Sequence, residues 1–121
     1  MSIIKSKYRG SVEYYHVFSE LIRVAQYRGL TTYKDIAYIL GLPSKGDHMG
    51  REITQILSEI AEDEVKAKRP MLTAVVVDSK GKMVTKFFEL AKQLGRLKQG
   101  DYEKAFTKKE RDAVYNTWKK L

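Results

Sequence analysis

Polar side chains that can bond to nucleic-acid bases recur at helical spacing in the middle of the chain. They are His48, Arg51, Thr54, Gln55 and Ser58. Positions three and four residues apart lie on the same side of an α-helix, so these side chains would share one face. Arginine can form two hydrogen bonds with guanine, and glutamine can form two with adenine. The pattern therefore predicts a helix face that could read base edges in a DNA groove.

Residue patterns typical of catalysis or metal binding are scarce. The chain has no cysteine, which excludes disulfides, thiolate zinc sites and a cysteine nucleophile. Its two histidines, His16 and His48, lack metal-ligand spacing. The acidic cluster from Glu59 to Glu64 could hold a divalent cation, but carboxylates at this spacing on a helix are typical of a solvated surface. We therefore predict that the protein is not an enzyme and has no cofactor and no metal site.

Two helical patterns joined by a short loop would position the base-contacting face. The first begins after Thr32, which has Asp35 at capping-box spacing, and ends at Gly41 ahead of a proline. The second begins at Asp47, which can cap free N–H groups. Its apolar residues recur at helical period and are Met49, Ile53, Ile56, Leu57 and Ile60. Two helices joined in this way predict a helix-turn-helix, whose second helix commonly enters the DNA major groove.

Two residues at the start of the first of these helices are further candidates for DNA contact. Tyr33 and Lys34 follow the predicted N-cap. A helix N-terminus presents free N–H groups and the positive end of the helix dipole, which suit a phosphate. The alternative is that Tyr33 packs against the preceding helix.

A β-hairpin is predicted after the helix-turn-helix. The β-branched run from Met71 to Asp78 predicts a buried strand, a turn contains Gly81, and the residues from Met83 to Thr85 predict a short return strand. A hairpin in this position predicts a wing. Its lysines, Lys80, Lys82 and Lys86, would contact the phosphate backbone or the minor groove. The alternative is an exposed hairpin with ordinary surface lysines.

Three further helices are predicted from apolar spacing. They run from Ser11 to Arg28, from Phe87 to Leu97, and from about Lys108 to Lys120. Thr107 and Glu110 have capping-box spacing at the start of the last one. The predicted fold is therefore mainly α with a small β-hairpin, a winged helix-turn-helix with an extra C-terminal helix.

Residues 1–10 are predicted to be a flexible arm ahead of a single domain that covers residues 11–121. The arm contains Lys5, Lys7 and Arg9, which could contact phosphate as basic arms do. The alternative is a frayed terminus without a role.

The net charge of +8 is unevenly distributed. Residues 1–79 carry 11 basic and 10 acidic side chains, whereas residues 80–121 carry 12 basic and 5 acidic ones. A positive field on the C-terminal third favours a polyanion as partner. The alternative is a lysine-rich solvated surface. No apolar run approaches the roughly 18 residues that span a bilayer, and the N-terminal residues lack the apolar core of a signal peptide. We therefore expect no membrane partner and a cytoplasmic location.

The order of these segments resembles the DNA-binding domain of the alkylguanine-DNA alkyltransferases and the alkyltransferase-like proteins. The similarity covers about residues 30–97 and rests on TTYKDIA, the two helices, RPMLTAVVV and FFELAKQLG. The chain is also similar, over nearly its whole length, to a group of small uncharacterised prokaryotic proteins that share a Tyr-x-x-Ile/Leu-Ala segment followed by RPMLTAVVV and FFELA. The first resemblance implies a winged helix-turn-helix and a DNA surface.

The family's reactive positions are altered in this chain. Met71 occupies the place of the reactive cysteine and Leu72 that of the following histidine. A thioether cannot act as a thiolate nucleophile, so the resemblance argues against alkyl transfer. The family's arginine finger falls near Asp47 or His48, whereas its tyrosine that presses on a phosphate during nucleotide flipping matches Tyr33.

We therefore predict a non-enzymatic DNA-binding protein, with duplex DNA as partner, that acts in DNA repair or regulation. The second helix of the helix-turn-helix, which is the third helix along the chain, would lie in a DNA groove. The lysine-rich wing would contact the phosphate backbone. The alternative is a winged-helix module that binds another protein and no DNA, because a fold alone does not determine function. The acidic end of the third helix favours this alternative.

Overall fold

The protein is mainly helical. The computed structural model describes residues 2–43 and 46–120, which form five α-helices, one short 3-10 helix and two strands of two residues each. Helix α1 spans Val12–Gln26. The Ser11 hydroxyl precedes it and accepts a hydrogen bond from the Tyr14 backbone N–H at 3.1 Å. Such a cap satisfies a donor that has no partner inside the helix.

Helix α2 begins and ends where the sequence predicts. Strand β1, Thr31–Thr32, leads directly into α2, Tyr33–Ile39. Thr32 Oγ1 accepts a hydrogen bond from the Asp35 N–H at 3.1 Å, which confirms the predicted N-cap. Gly41 follows the helix with a φ of +70°. This left-handed conformation favours glycine and ends the helix.

Helix α3 spans Asp47–Lys66 and is the longest helix in the described part of the chain. The prediction that Asp47 caps it is wrong, because Gly46 is the N-cap and no side chain bonds to the first N–H groups. Asp47 lies inside the first turn, where its negative charge complements the helix dipole. Ser44, in the predicted loop between α2 and α3, lies outside the described residues.

The predicted β-hairpin after α3 is wrong. The apolar run forms a 3-10 helix, Leu72–Val75, followed by strand β2, Val76–Val77. β2 pairs in parallel with β1, so that Thr31 lies opposite Val76. Parallel strands need a crossover connection, which α2 and α3 provide. Every residue from 71 to 77 is buried, and the periodicity of a wholly apolar run cannot distinguish a strand from another buried segment.

A tight turn stands in place of the predicted wing. The Asp78 N–H donates to the Lys82 carbonyl at 2.8 Å. Asp78 Oδ1 in turn accepts from the N–H groups of Lys80 and Lys82 at 2.8 and 2.9 Å. The next described element is helix α4, Thr85–Gln93, rather than a return strand. Lys80 and Lys82 therefore lie on a closed turn, and Lys86 lies on a helix.

Helix α5 spans Glu103–Trp118 and begins about one turn before the predicted start. Thr107 does not cap it, because its hydroxyl donates to the Glu103 carbonyl at 2.9 Å, a bond that threonine forms inside helices. Glu110 is buried and accepts bonds from the Met71 N–H and the Arg96 guanidinium. The sequence also predicts that Leu121 shares the apolar face of this helix with Val114 and Trp118, and Leu121 lies outside the described residues.

The core lies between α1, α3, α5 and the 3-10 helix. Its largest fully buried apolar side chains include Leu21, Ile36, Ile53, Ile56, Ile60 and Leu72. The 3-10 helix contacts α1, α3 and α5. Burial of each of these side chains stabilises the fold by roughly 1.5–3 kcal/mol. This packing holds the later turns of α3 in the core and leaves its first turns at the surface.

Candidate nucleic-acid interface

The first turns of α3 are exposed, whereas its later turns pass through the molecule. Asp47, His48 and Arg51 are exposed, and every residue from 56 to 62 is buried. Ser58, predicted to lie on the base-contacting face, belongs to the buried part and is only 6% exposed. A large ligand could therefore contact only the amino-terminal part of the helix.

An open groove of about 850 Å³ runs beside these first turns. Its cationic side chains are Lys5 from the N-terminal segment, Arg51 from α3 and Lys86 from α4, and its acidic side chain is Asp47. We call this the α3 groove. Arg51 has no ion-pair partner within residues 2–43 and 46–120. Among the described residues, the charged side chains that line the groove are therefore three cations and one anion.

Five of the residues predicted for the base-contacting face and the wing line the α3 groove. They are Arg51, Thr54, Gln55, Ser58 and Lys86. Lys86 also lies 3.9 Å from Glu89, but both side chains are about half exposed, and such a pair contributes little. His48 is exposed on the same turns of α3 without lining the groove.

Gln55 is engaged inside the molecule. Its Nε2 donates to the Lys5 carbonyl at 2.8 Å and to Glu59 Oε2 at 2.7 Å. An amide nitrogen has two hydrogens, so both are in use. Gln55 therefore fixes the backbone of Lys5 and does not present free donors to a base.

Tyr33 and Lys34 are not among the residues that line the α3 groove. The Tyr33 ring borders a cavity of about 20 Å³ that Thr54, Leu57 and Phe87 also line, between α2, α3 and α4. Burial raises the pKa of Tyr33 above its ordinary value of 10.0. Its environment is that of a packing residue, although its neighbours belong to α3 and α4 rather than to the preceding helix. Lys34 is exposed at the start of α2.

The two lysines of the turn lie next to a second basic depression. Lys82 lines an open cleft of about 650 Å³ together with Lys104, Lys108 and Arg111 of α5. We call this the α5 cleft. Lys108 pairs with Asp112 at 2.8 Å. Lys80 is exposed on the same turn. Because Lys82 and Lys86 are four residues apart, their Cα atoms can be no more than about 14 Å apart.

The acidic cluster of α3 is the main feature that the sequence did not reveal. Glu59, Glu62 and Glu64 are buried, so the prediction of a solvated acidic surface is wrong. Glu59 accepts hydrogen bonds from the N–H groups of Lys7, Tyr8 and Arg9 at 3.1, 3.0 and 2.8 Å. Its partners lie about 50 positions away in the chain, and helical spacing cannot reveal them.

Glu62 and Asp63 bind the same N-terminal segment. Glu62 Oε2 accepts from the N–H groups of Ile3 and Ile4 at 2.6 and 3.2 Å. The Arg9 guanidinium lies 2.6 Å from Glu62 and 3.0 Å from Asp63. We call residues 3–9 the N-terminal strap. The sequence predicts a flexible arm here, and the structure places this segment along α3.

The donors around Glu62 favour its charged form despite its burial. Burial of Glu62 by itself disfavours the charged form, but the N–H groups of Ile3 and Ile4 and the Arg9 guanidinium outweigh it and lower the pKa below 4.5. Glu64 pairs with Arg69 at 2.7 Å. The acidic end of α3 is therefore neutralised within the molecule. The sequence hint for this arrangement is the presence of three cations in a short N-terminal segment and four carboxylates at the end of α3.

Comparisons with protein-family models, curated proteins and solved structures found no match to this chain. In residues 2–43 and 46–120 no helix is long and apolar enough to cross a bilayer. The same residues contain no cluster of three histidine, aspartate or glutamate side chains that could hold a metal ion.

Proposed function

We propose that this protein binds nucleic acid without transforming it, with duplex DNA as the ligand and the α3 groove as the central contact. The observation that carries the proposal is the convergence of Lys5, Arg51 and Lys86 on one open groove beside exposed helical turns. Clustered cations attract phosphates through release of counterions, largely independently of sequence. Arg51 is also able to form two hydrogen bonds with a guanine edge.

The neutralised carboxyl-terminal half of α3 supports this proposal. An exposed row of carboxylates on the same helix would repel phosphates. In this protein Glu59 and Glu62 are covered by the strap, and Asp63 is paired with Arg9. The acidic residues therefore weaken the field of the groove far less than their number in the sequence implies.

The proposed role of α3 is that of the second helix of a helix-turn-helix formed with α2. The turn from Asp78 to Lys82 would take the place of the wing. The resemblance to the alkyltransferase DNA-binding domain supports the same arrangement without alkyl transfer, because Met71, at the reactive position, is a fully buried thioether. A role in DNA repair or regulation in the cytoplasm fits such a binder.

A titration of labelled duplex DNA, followed by fluorescence anisotropy at several salt concentrations, tests the proposal. Arg51→Ala and a Lys80/Lys82 double substitution to alanine should weaken binding, and Arg51→Ala should lower the slope of log K against log salt by about one phosphate contact. Arg23→Ala is the matched control, because Arg23 is an exposed arginine of α1 that pairs with Glu20. Absence of binding at low ionic strength would refute the proposal.

A second candidate function is protein binding through the surface between α1 and α2. Tyr38 is 87% exposed and Leu30 is 48% exposed. Both line a shallow depression with Val24 and Ile39. Exposed aromatic and aliphatic groups of this kind are typical of protein interfaces. Tyr38→Ser separates the two candidates, because DNA affinity should not change if the α3 groove is the site.

A further inference from the structure

We infer that the N-terminal strap is a working part of the α3 groove and determines whether the groove attracts or repels a polyanion. The inference rests on the nucleic-acid function proposed above. In this arrangement Glu59, Glu62 and Gln55 are positioning residues for Lys5. The strap and α3 together, rather than α3 alone, form the binding surface.

The strap is held mainly through its backbone. Glu62 accepts the N–H groups of residues 3 and 4, and Glu59 accepts those of residues 7, 8 and 9. Hydrogen bonds to ionised groups are stronger than those between neutral groups. Because the donors are peptide groups, the two carboxylates fix the path of the strap largely independently of its side chains.

Side chains add a charge match between the strap and α3. Lys7 lies 2.6 Å from Glu52, and the Tyr8 hydroxyl donates to the same carboxylate. Arg9 pairs with Glu62 and Asp63. The docked strap thus covers four carboxylates of α3 with two cations and a row of N–H groups.

Lys5 differs from the other cations of the strap in its charge partners. Lys7 and Arg9 are paired with carboxylates, whereas Lys5 has no carboxylate partner within the described residues and lines the α3 groove. Its carbonyl is held by Gln55, which is in turn held by Glu59. The network therefore holds the backbone of Lys5 at the groove that Arg51 also lines.

Release of the strap would reverse the charge beside the groove. Lys5 would leave the groove wall, and Glu52, Glu59, Glu62 and Asp63 would become exposed on α3. Like charges in a binding surface oppose association strongly. A phosphate backbone that is attracted in the docked state would then meet a row of carboxylates.

The test uses full-length variants in which proline removes the strap's N–H donors. Ile3→Pro combined with Tyr8→Pro takes one backbone donor from Glu62 and one from Glu59, and it also removes the Tyr8 hydroxyl that donates to Glu52. All three side chains remain carboxylates. Proline has no backbone N–H. Ser2→Pro is the matched control, because the Ser2 N–H bonds to no group in the described residues and the substitution removes only the exposed bond that the Ser2 hydroxyl accepts from Lys66. Hydrogen exchange of the amides of residues 4, 7 and 9 reports release of the strap without any DNA.

We expect the double proline variant to bind duplex DNA at least about tenfold more weakly than the wild type, with a lower salt slope. Adding Glu59→Gln and Glu62→Gln to it should restore part of the affinity, because the uncovered carboxylates are then neutral. A merely structural role of the strap predicts no such recovery. Lys5→Ala alone should lower the slope of log K against log salt by about one phosphate contact. This variant tests the role of Lys5 even if the proline substitutions prevent folding.

The outcomes separate the two proposals. If the wild type binds no duplex DNA, the proposed function fails and the role of the strap fails with it. Suppose instead that the wild type binds duplex DNA, and that the double proline variant is folded by circular dichroism and has a released strap by hydrogen exchange. If this variant binds DNA with unchanged affinity, only the role of the strap is overturned. An unchanged salt slope in Lys5→Ala overturns it as well.

Discussion

Single residues in this protein have roles that depend on where their partners lie. Glu62 is only 1% exposed, yet its carboxylate is satisfied by two N–H groups and by Arg9. A buried charge is tolerated only when such donors are in place. Loss of the charge therefore weakens several bonds at once, although the side chain keeps its shape.

We expect Glu62→Gln to lower the free energy of unfolding by about 2 kcal/mol, the typical contribution of hydrogen bonds to a charged group. Urea denaturation measures this change. Glu13→Gln is the control, because Glu13 is exposed on α1 and surface substitutions usually change stability by less than about 0.5 kcal/mol. Equal stability of the two variants would contradict the role assigned to Glu62.

The same residue should contribute to acid sensitivity. Its pKa in the folded protein is lowered below the ordinary value of 4.5. Its contribution to stability is therefore fully present above about pH 4.5 and is lost as the pH falls through the lower folded value. The wild type should lose stability more steeply than Glu62→Gln below about pH 4.5, in urea titrations at several pH values. Parallel curves would be inconsistent with this.

At the scale of elements, the helices combine local capping with long-range anchoring. α2 is only seven residues long, and isolated helices of this length are unstable in water. It is held by the Thr32 cap, by Ile36 and Ala37 in the core, and by its place between β1 and α3. Its position in turn determines where the first turns of α3 emerge.

Thr32→Ala should destabilise the protein by about 1 kcal/mol, because it removes the acceptor for the Asp35 N–H at the start of α2. Thermal or urea unfolding measures the loss. Thr117→Ala is the matched control, since Thr117 is exposed in the last turn of α5. A control that loses as much stability as Thr32→Ala would show that the cap is not responsible.

At the scale of the whole molecule, two basic depressions lie close together. Lys86 lines the α3 groove and Lys82 lines the α5 cleft. The Cα atoms of these two lysines are at most about 14 Å apart. A stretch of duplex of that length carries roughly eight phosphates. One duplex could therefore contact both depressions, and the positive charge of the C-terminal third would contribute through α5.

Replacing Lys82 and Lys104 with alanine should lower the salt slope for a duplex of about 20 base pairs by up to roughly two contacts, with proportionate loss of affinity. Fluorescence anisotropy over a range of salt concentrations measures the slope. The control is a Lys119/Lys120 double substitution, which removes equal charge from the exposed residues after α5. An identical effect of both pairs would indicate a general charge effect rather than a contact at the α5 cleft.

Local chemistry allowed much of the helical fold to be predicted from the sequence. The predicted cap at Thr32 and the predicted end of α2 at Gly41 are confirmed, because a cap needs only a side chain and an N–H group three residues later. The apolar stripe of α3 was also predicted, since Ile53, Ile56 and Ile60 recur at the helical period and are fully buried.

Partners distant in the sequence account for what could not be predicted. The run after Pro70 forms a 3-10 helix and a strand paired with Thr31–Thr32, and an apolar run does not reveal its partner. The candidate site was predicted in part, because Arg51, Thr54 and Lys86 meet at one groove. The internal role of Gln55 was not predicted. The alternative prediction that Tyr33 packs inside the molecule named the preceding helix, whereas Tyr33 lines a cavity with residues of α3 and α4.

The sequence by itself determined most of the helices, the cap of α2, the absence of thiol chemistry and the excess of positive charge, because these depend on residue types and short spacings. Only the tertiary structure decided that the carboxylates of α3 are covered by the N-terminal strap and that Lys5 joins Arg51 at one groove. The physical reason is that burial and charge pairing depend on which distant segments meet. A carboxylate such as Glu59 can be solvated or buried with the same neighbours in sequence.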